Sequence, residues 1–214
     1  MALIKTNARS SSALDATILT GNLPAISGAS LTGITAGGLV HIKTQTVTSP
    51  VATVEFIHGT SGVTFDGTYK RYKVIYGNLN VANAGVRVGL QFRTGSSFDT
   101  GNNYTWAGIG RDDDSNTQTG QSTGDSFISL SPRNHAKTSS QDSAGEFIMS
   151  DPSATNRYKV ATGYTGGMGG NAYSESYICG GSWEDSSAIN GFRFIANSGN
   201  IDTINVTLFG VAES

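Results

Sequence analysis

From about Leu39 onward, the sequence repeats one pattern: short runs of alternating apolar and polar residues, separated by clusters of Gly, Asn, Asp and Ser. The clearest run is Val86–Phe92, in which every second residue is apolar. A period of two residues places those side chains on one face of a β-strand. No window of helical length carries a convincing apolar stripe. The pattern therefore predicts an all-β chain of short strands joined by turns.

The runs give eleven predicted strands between turn clusters. Their close spacing favours an antiparallel β-sandwich, jelly-roll-like, over a parallel sheet with crossover helices. We expect this sandwich domain to span residues 39–214. The predicted strands are Val40–Val47, Val51–Ile57, Tyr69–Tyr76, Val86–Phe92, Tyr104–Ile109, Ser126–Leu130, Glu146–Met149, Tyr158–Thr162, Tyr173–Cys179, Phe192–Ala196 and Ile204–Gly210.

Three segments between these strands read as loops: residues 110–124 and 131–143, which are mostly polar, and residues 163–172, which are rich in glycine. Binding residues are often found on such loops, but plain surface loops have the same composition. Both interpretations stay open from the sequence alone.

The first 38 residues differ from the rest. The segment Ala13–Gly38 has no Lys or Arg and one carboxylate, Asp15, and it is too rich in Gly, Ser and Thr to form a core of its own. Burial against other copies or a partner would stabilise its spaced apolar residues. Residues 1–38 are therefore predicted to be an extended arm for attachment or trimerisation. The assembly residues are Leu14, Ile18, Leu19, Leu23, Pro24, Ile26, Leu31 and Ile34.

Composition bears on several classes of function. Charged residues make up 14% of the chain, the net charge is −2, and the one dense basic run, Lys70–Lys73, lies in a predicted strand. Nucleic-acid binding needs clustered Lys and Arg, so it is not expected. No stretch approaches the ~20 apolar residues of a membrane helix, so membrane insertion is not expected either. The first residues do not have the pattern of a signal peptide.

Candidate catalytic groups are few. Cys179 is the single cysteine and reads as a small buried hydrophobe in a strand. Gly120–Gly124 matches G-x-S-x-G around Ser122, but no hydrophobic strand precedes it, as a nucleophile elbow requires. His41, His58 and His135 lack zinc-ligand spacings. We therefore expect no catalytic residue, no metal site and no cofactor.

Two features leave alternatives open. Asp112–Asp114 could attract a cation through carboxylate oxygens, but it lacks EF-hand spacing and also reads as a solvated acidic loop. Aromatic residues cluster at Tyr104–Trp106 and among Tyr173, Tyr177 and Trp183. Buried, they would form sandwich core; exposed, they could stack on sugar rings. The core interpretation is favoured.

Several phrases resemble virion proteins of tailed bacteriophages, especially cyanobacterial and marine phages. In the arm, ALDATILTGN is followed by LPAISGASLTGI, and this L-P-x-I-x-G-x-x-L-T phrase is similar to those of tail fibres and related surface proteins. The later domain resembles a recurrent phage module through phrases that together cover most of the chain. They are YKRYKVIYGNL from Tyr69, VGLQFR from Val88, YTWA from Tyr104, AINGFRF from Ala188 and SGNI from Ser198.

The resemblance implies a trimeric β-structure without cofactors and usually without enzymatic activity. A chain with one extended arm and one domain fits a capsid decoration (cement) protein. Such a protein would be exposed on the phage particle and bound to the major capsid protein through the arm. A short tail fibre that attaches to tail proteins and recognises a host surface glycan is the alternative. A third hypothesis, a depolymerase or esterase, has only the Ser122 motif behind it.

Overall fold

The computed structural model describes residues 38–131, 133, 135, 142–168 and 174–213. Within them lie thirteen β-strands and no helix. The predicted arm residues, from Leu14 to Ile34, lie outside the described residues, and their role stays a prediction. The strands are β1 Gly38–Val47, β2 Thr53–Ile57, β3 Arg71–Val81, β4 Val88–Thr94, β5 Ser97–Phe98, β6 Tyr104–Asp112, β7 Thr117–Asp125, β8 Ile128–Ser129, β9 Ser143–Ser150, β10 Lys159–Met168, β11 Ser174–Trp183, β12 Gly191–Ala196 and β13 Ile201–Ala212.

The strands form two sheets, and every named pairing is antiparallel. The larger sheet has eight strands in the order β1-β13-β3-β9-β10-β11-β6-β7. The smaller has five: the order β2-β12-β4-β5, with β8 also paired to β4. The predicted all-β, antiparallel sandwich is confirmed.

Aromatic side chains fill the space between the sheets. Phe147 of the larger sheet meets Phe192 of the smaller edge-to-face, with ring centroids 5.9 Å apart. Tyr76 and Phe194 meet in the same way at 5.6 Å. Phe56 stacks on Phe192 at 5.0 Å within the smaller sheet. Contacts of this kind fix how the two inner faces interdigitate.

The predicted alternation of faces is also confirmed. In β3, Tyr72, Val74 and Tyr76 are buried, whereas Arg71 and Ile75 point outward. The strands β4, β12 and β13 likewise bury their predicted apolar parity. Alternation is a local signal, which is why it can be read without knowing the partner strands.

Two of the predicted loops are largely strand. Residues 110–124 form the end of β6, a tight turn and β7, while residues 163–168 belong to β10. Asp112 holds the β6–β7 turn, because its carboxylate accepts hydrogen bonds from Asn116 N at 2.8 Å and Gln118 Nε2 at 2.7 Å. The whole of β7 and the second half of β10 were not predicted as strand, because these segments lack apolar alternation, whereas the predicted strand Tyr158–Thr162 covers the first half of β10. Of the third predicted loop, 131–143, only residues 131, 133, 135, 142 and 143 are described.

Candidate functional site

The outer face of the eight-stranded sheet carries a line of side chains at one level across all its strands. The register aligns Tyr164 of β10 with Ile178 of β11, and Ile178 with Ile109 of β6. We call the full line the transverse row. From β1 to β7 it consists of Thr44, Thr207, Ile75, Glu146, Tyr164, Ile178, Ile109 and Thr119.

The centre of the transverse row is apolar and open to solvent. Ile178 is 68% exposed, Ile109 55% and Tyr164 53%. Ile75 and Ile148 on the same face are also exposed. Neighbouring strands lie about 4.8 Å apart, so the side chains of adjacent strands form one patch rather than scattered single residues. A contiguous apolar patch on a soluble protein marks an interaction surface.

The outer face of the smaller sheet is different. There the Arg193 guanidinium lies 4.3 Å from the ring centroid of Phe98, donates from Nε to Gln91 Oε1 at 2.8 Å, and approaches Glu55 Oε1 at 3.5 Å. Gln91 in turn donates to the carbonyl of Ser126 at 2.8 Å and is buried. Polar groups on this face are satisfied within the chain, so the larger sheet presents the better docking surface.

A groove lies beside the transverse row. Two residues along each strand from the transverse row, the next side chains on the outer face are Thr162, Gly180, Ala107 and Gln121. Gly180 has no side chain and Ala107 only a methyl, so the sheet surface is indented between taller neighbours. The groove encloses about 550 Å³. It gives the otherwise flat face a recess into which a partner side chain could insert.

A second cavity, which we call the bulge cleft, lies where the pairing of β13 with β3 is irregular. The register shifts on either side of Thr203, whose hydroxyl donates to the carbonyl of Asn78 at 2.8 Å. Bulges re-aim side chains and are common next to binding sites. The cleft encloses about 510 Å³, and the described residues that line it include no Lys or Arg. Its polar side chains include Asn78, Asn80, Asn205, Asp142 and Asp202.

The bulge cleft brings an amide and two carboxylates to one place. Asn80 Nδ2 lies 3.4 Å from Asp142 Oδ1, at the long end for a hydrogen bond. The Oδ1 atom of Asp202 is buried with no hydrogen-bond partner among the described residues. A buried carboxylate oxygen is costly to leave unsatisfied. The amides and carboxylates that line the cleft can exchange hydrogen bonds with a polar ligand.

His135 lies at the centre of a buried polar network. Its Nδ1 is 3.0 Å from Ser143 Oγ, and its Nε2 is 3.3 Å from Ser131 Oγ. Burial lowers the pKa of His135 to about 4, so the imidazole is neutral near pH 7. His135, Ser131 and Ser143 are all buried, and the adjoining cavity holds only about 10 Å³. Among the described residues, this network links Ser131, His135 and the first residue of β9, Ser143.

The aromatic clusters are core. Trp106, Trp183, Tyr104 and Tyr177 are all buried, which confirms the favoured interpretation; Tyr173 lies outside the described residues. The two indole N–H groups are satisfied by carboxylates: Trp106 Nε1 donates to Asp125 Oδ2 at 2.9 Å, and Trp183 Nε1 to Asp99 Oδ2 at 2.5 Å. These rings are therefore not free to stack on sugars.

The other candidate residues suggested by the sequence lie in strands or in a turn. Cys179 is buried in β11, as predicted, and burial raises the pKa of its thiol to about 12. Ser122 lies within β7 rather than at a strand-to-helix elbow. Asp112 is engaged by its own turn, and no group of three or more His, Cys, Asp or Glu side chains among the described residues could hold a metal ion.

Three features had no signal in the sequence. The transverse row joins residues up to 163 positions apart, such as Thr44 and Thr207, and needs the strand register to be seen. The bulge cleft depends on a local register shift. Lys159 is fully buried and donates from Nζ to the carbonyls of Arg157 at 2.8 Å and Ser186 at 3.3 Å; burial lowers its pKa.

Comparison of the chain with protein-family models, with characterised proteins and with solved structures finds no match. In the part of the chain that the structure describes, no helix has the length and apolar character needed to cross a membrane.

Proposed function

We propose that this protein is a non-enzymatic assembly protein of a tailed-phage virion, a capsid decoration protein that docks on the major capsid protein. The observation that carries the proposal is the exposed apolar centre of the transverse row, Tyr164, Ile178 and Ile109. The sequence motifs that resemble those of phage virion proteins indicate the class of partner.

A protein surface suits this face better than a small ligand. The apolar side chains spread over β3, β9, β10, β11 and β6, a width of about 20 Å at the usual strand spacing. They surround the Lys73–Glu146 ion pair, whose atoms Nζ and Oε2 lie 2.8 Å apart. An apolar centre with a few charged groups is the usual composition of a protein–protein interface.

Trimerisation is the second part of the proposal. The residues assigned to it are Leu14, Ile18, Leu19, Leu23, Pro24, Ile26, Leu31 and Ile34 of the arm. The arm would fasten each copy to its neighbours or to the capsid, and the sheet face would add contacts. Repeated weak contacts on one particle bind tightly through avidity.

The test is to purify the phage particle whose genome encodes this chain and to count its copies by quantitative mass spectrometry. Hundreds of copies per particle support decoration of the head; some tens or fewer place the protein on the tail, and none rejects a virion role. Particles lacking the protein are then mixed with the purified chain. Ile178→Asp should weaken rebinding at least about tenfold, because it buries a charge in the interface.

Thr60→Asp is the matched control for that rebinding experiment. Thr60 is exposed in the turn after β2, away from the eight-stranded sheet, and should rebind like the unaltered chain. Both substitutions are at exposed positions, so their free energies of unfolding should stay within about 0.5 kcal/mol of the unaltered protein. Equal rebinding of the two variants would remove the sheet face from the proposal.

A second candidate function is that of a short tail fibre which recognises a host glycan. The bulge cleft favours it, because its carboxamides, carboxylates and threonine hydroxyls can exchange hydrogen bonds with sugar hydroxyls. A glycan array probed with the full chain tests this. Loss of each glycan signal in Asp202→Ala, with retention in Asp114→Ala, would support the cleft; a silent array would reject it.

A further inference from the structure

The two edge strands of the eight-stranded sheet are protected to different degrees. β1 carries two features that discourage pairing with another chain: a register shift between His41 and Lys43, and the lysine itself. β7, at the opposite edge, has neither Lys, Arg nor Pro over the nine residues Thr117–Asp125. Its register with β6 is regular from Thr117 to Ser122 and shifts between Ser122 and Asp125, which pair with Trp106 and Tyr104.

β7 also has a free edge. It is the last strand in the sheet order, and no described residue pairs with its outer side. A free edge presents unpaired backbone N–H and C=O groups that can template another strand. Nine residues are long for an edge strand, since natural proteins commonly shorten their exposed edges.

The sequence of β7 is suited to pairing with itself. A two-fold axis at Gln121 would place residues 119–123 of the two copies opposite one another. Gln121 would face Gln121, and Thr119 would face Thr123, both on the outer face of the sheet. Threonine pairs and glutamine ladders are favourable between strands. Asp125 lies beyond this stretch, and its Oδ2 accepts from Trp106 Nε1 at 2.9 Å, so the carboxylates of the two copies would not oppose each other.

We propose that β7 is a homotypic interface, through which two copies pair antiparallel about a two-fold axis at Gln121. The two eight-stranded sheets then form one continuous sheet. Such an interface is isologous, because each copy contributes the same strand. It involves residues 117–125, whereas the proposed trimer contact involves residues 14–34, so the two contacts use different parts of the chain and the β7 contact is tested separately.

Disulfide trapping tests the pairing in the full chain. Directly opposite residues of an antiparallel pair have Cβ atoms about 4.5–5.5 Å apart, close to the range that a disulfide bridges. Gln121→Cys should therefore form a crosslinked dimer of twice the 22.3 kDa chain mass under mild oxidation. The native Cys179 is buried and provides little background.

Thr44→Cys is the control, because Thr44 is an exposed residue of the transverse row on the other edge strand. It should crosslink at least about tenfold more slowly than Gln121→Cys. Thiols at position 44 would meet only by random collision, whereas the pairing of β7 would hold the thiols at position 121 next to each other. Equal rates for the two variants would overturn the proposal. So would preferential mixed crosslinks between the two variants, which would indicate β1–β7 pairing instead.

A charge substitution gives an independent measurement. Gln121→Asp places like charges directly opposite each other, which destabilises a strand pair. We expect dimerisation at β7 to weaken about fivefold or more, and the particle mass from light scattering to fall towards half that of the unaltered chain at micromolar concentration. Unchanged mass would overturn the proposal. Gln121 is exposed, and an unchanged melting temperature would show that the variant is folded.

Discussion

The Nδ1 atom of His135 lies 3.0 Å from the Oγ atom of Ser143, and both side chains are buried. Burial holds the pKa of His135 at about 4, below its ordinary value of 6.5. The unfolded chain therefore binds more protons than the folded chain between these two values. The stabilising contribution of the neutral imidazole is fully present above pH 6.5 and is lost as the pH falls towards 4.

We accordingly expect the free energy of unfolding to fall by up to about 3 kcal/mol between pH 7 and pH 4 on account of His135. Urea unfolding at several pH values measures this. His135→Gln should be less stable at pH 7 but should have a flatter pH profile. His41→Gln, at an exposed histidine, should keep the profile of the unaltered chain, and a steep profile in His135→Gln would assign the effect to another group.

The core prediction concerns Phe192, which is fully buried and stacks on Phe56 at a centroid distance of 5.0 Å. Phe192→Ala removes a ring that also contacts Phe147 in the opposite sheet. It should lower the free energy of unfolding by about 3–5 kcal/mol in urea titration. Leu39→Ala, at an exposed position of β1, should change it by less than about 0.5 kcal/mol. Similar losses for both would mean that Phe192 is not in the core.

Asp99 provides the acceptor for a buried tryptophan. Its Oδ2 accepts from Trp183 Nε1 at 2.5 Å and from Asn103 Nδ2 at 2.9 Å. Asp99→Ala leaves the indole N–H without an acceptor in the core and should cost about 1–3 kcal/mol by chemical denaturation. Asp99→Asn, which retains an acceptor oxygen, should cost less. Asp114→Ala, at an exposed aspartate, is the control and should be near neutral.

Two glycines of β10 should respond differently to the same substitution. A Cβ at Gly163 would lie 1.9 Å from the carbonyl oxygen of Glu146, whereas a Cβ at Gly166 would have its nearest neighbour at 3.7 Å. Gly163→Ala should therefore force the β9–β10 backbones apart and cost about 1–3 kcal/mol. Gly166→Ala should leave the melting temperature almost unchanged. Equal melting temperatures would show that the strands can shift freely at Gly163.

These glycines illustrate what the sequence could and could not predict. The strands with apolar alternation, such as β3 and β4, could be predicted because each residue's face follows from its position alone. β10 contains Gly163 because two backbones approach closely there, and a close approach between strands leaves no local pattern. β7 alternates Thr and Gln with Gly and Ser, so its two faces differ little in hydrophobicity.

The candidate site was less predictable than the fold. Ile109 and Ile178 are each unremarkable in their own segments, and they become one surface only when β6 and β11 pair. The bulge cleft requires knowledge of where β13 and β3 lose register. Burial of Trp106 and Trp183 was the favoured of two interpretations from the sequence, because large aromatic residues commonly fill the core of a sandwich.

The position of β13 has a consequence for synthesis. Residues 201–212 lie between β1, at residues 38–47, and β3, at residues 71–81. A nascent chain therefore exposes the edges of β1 and β3 until residues 201–212 have left the ribosome. The sheet can close only after that point, so the pairing of β13 with β1 and β3 is a late step of folding, delayed by contacts between distant parts of the chain.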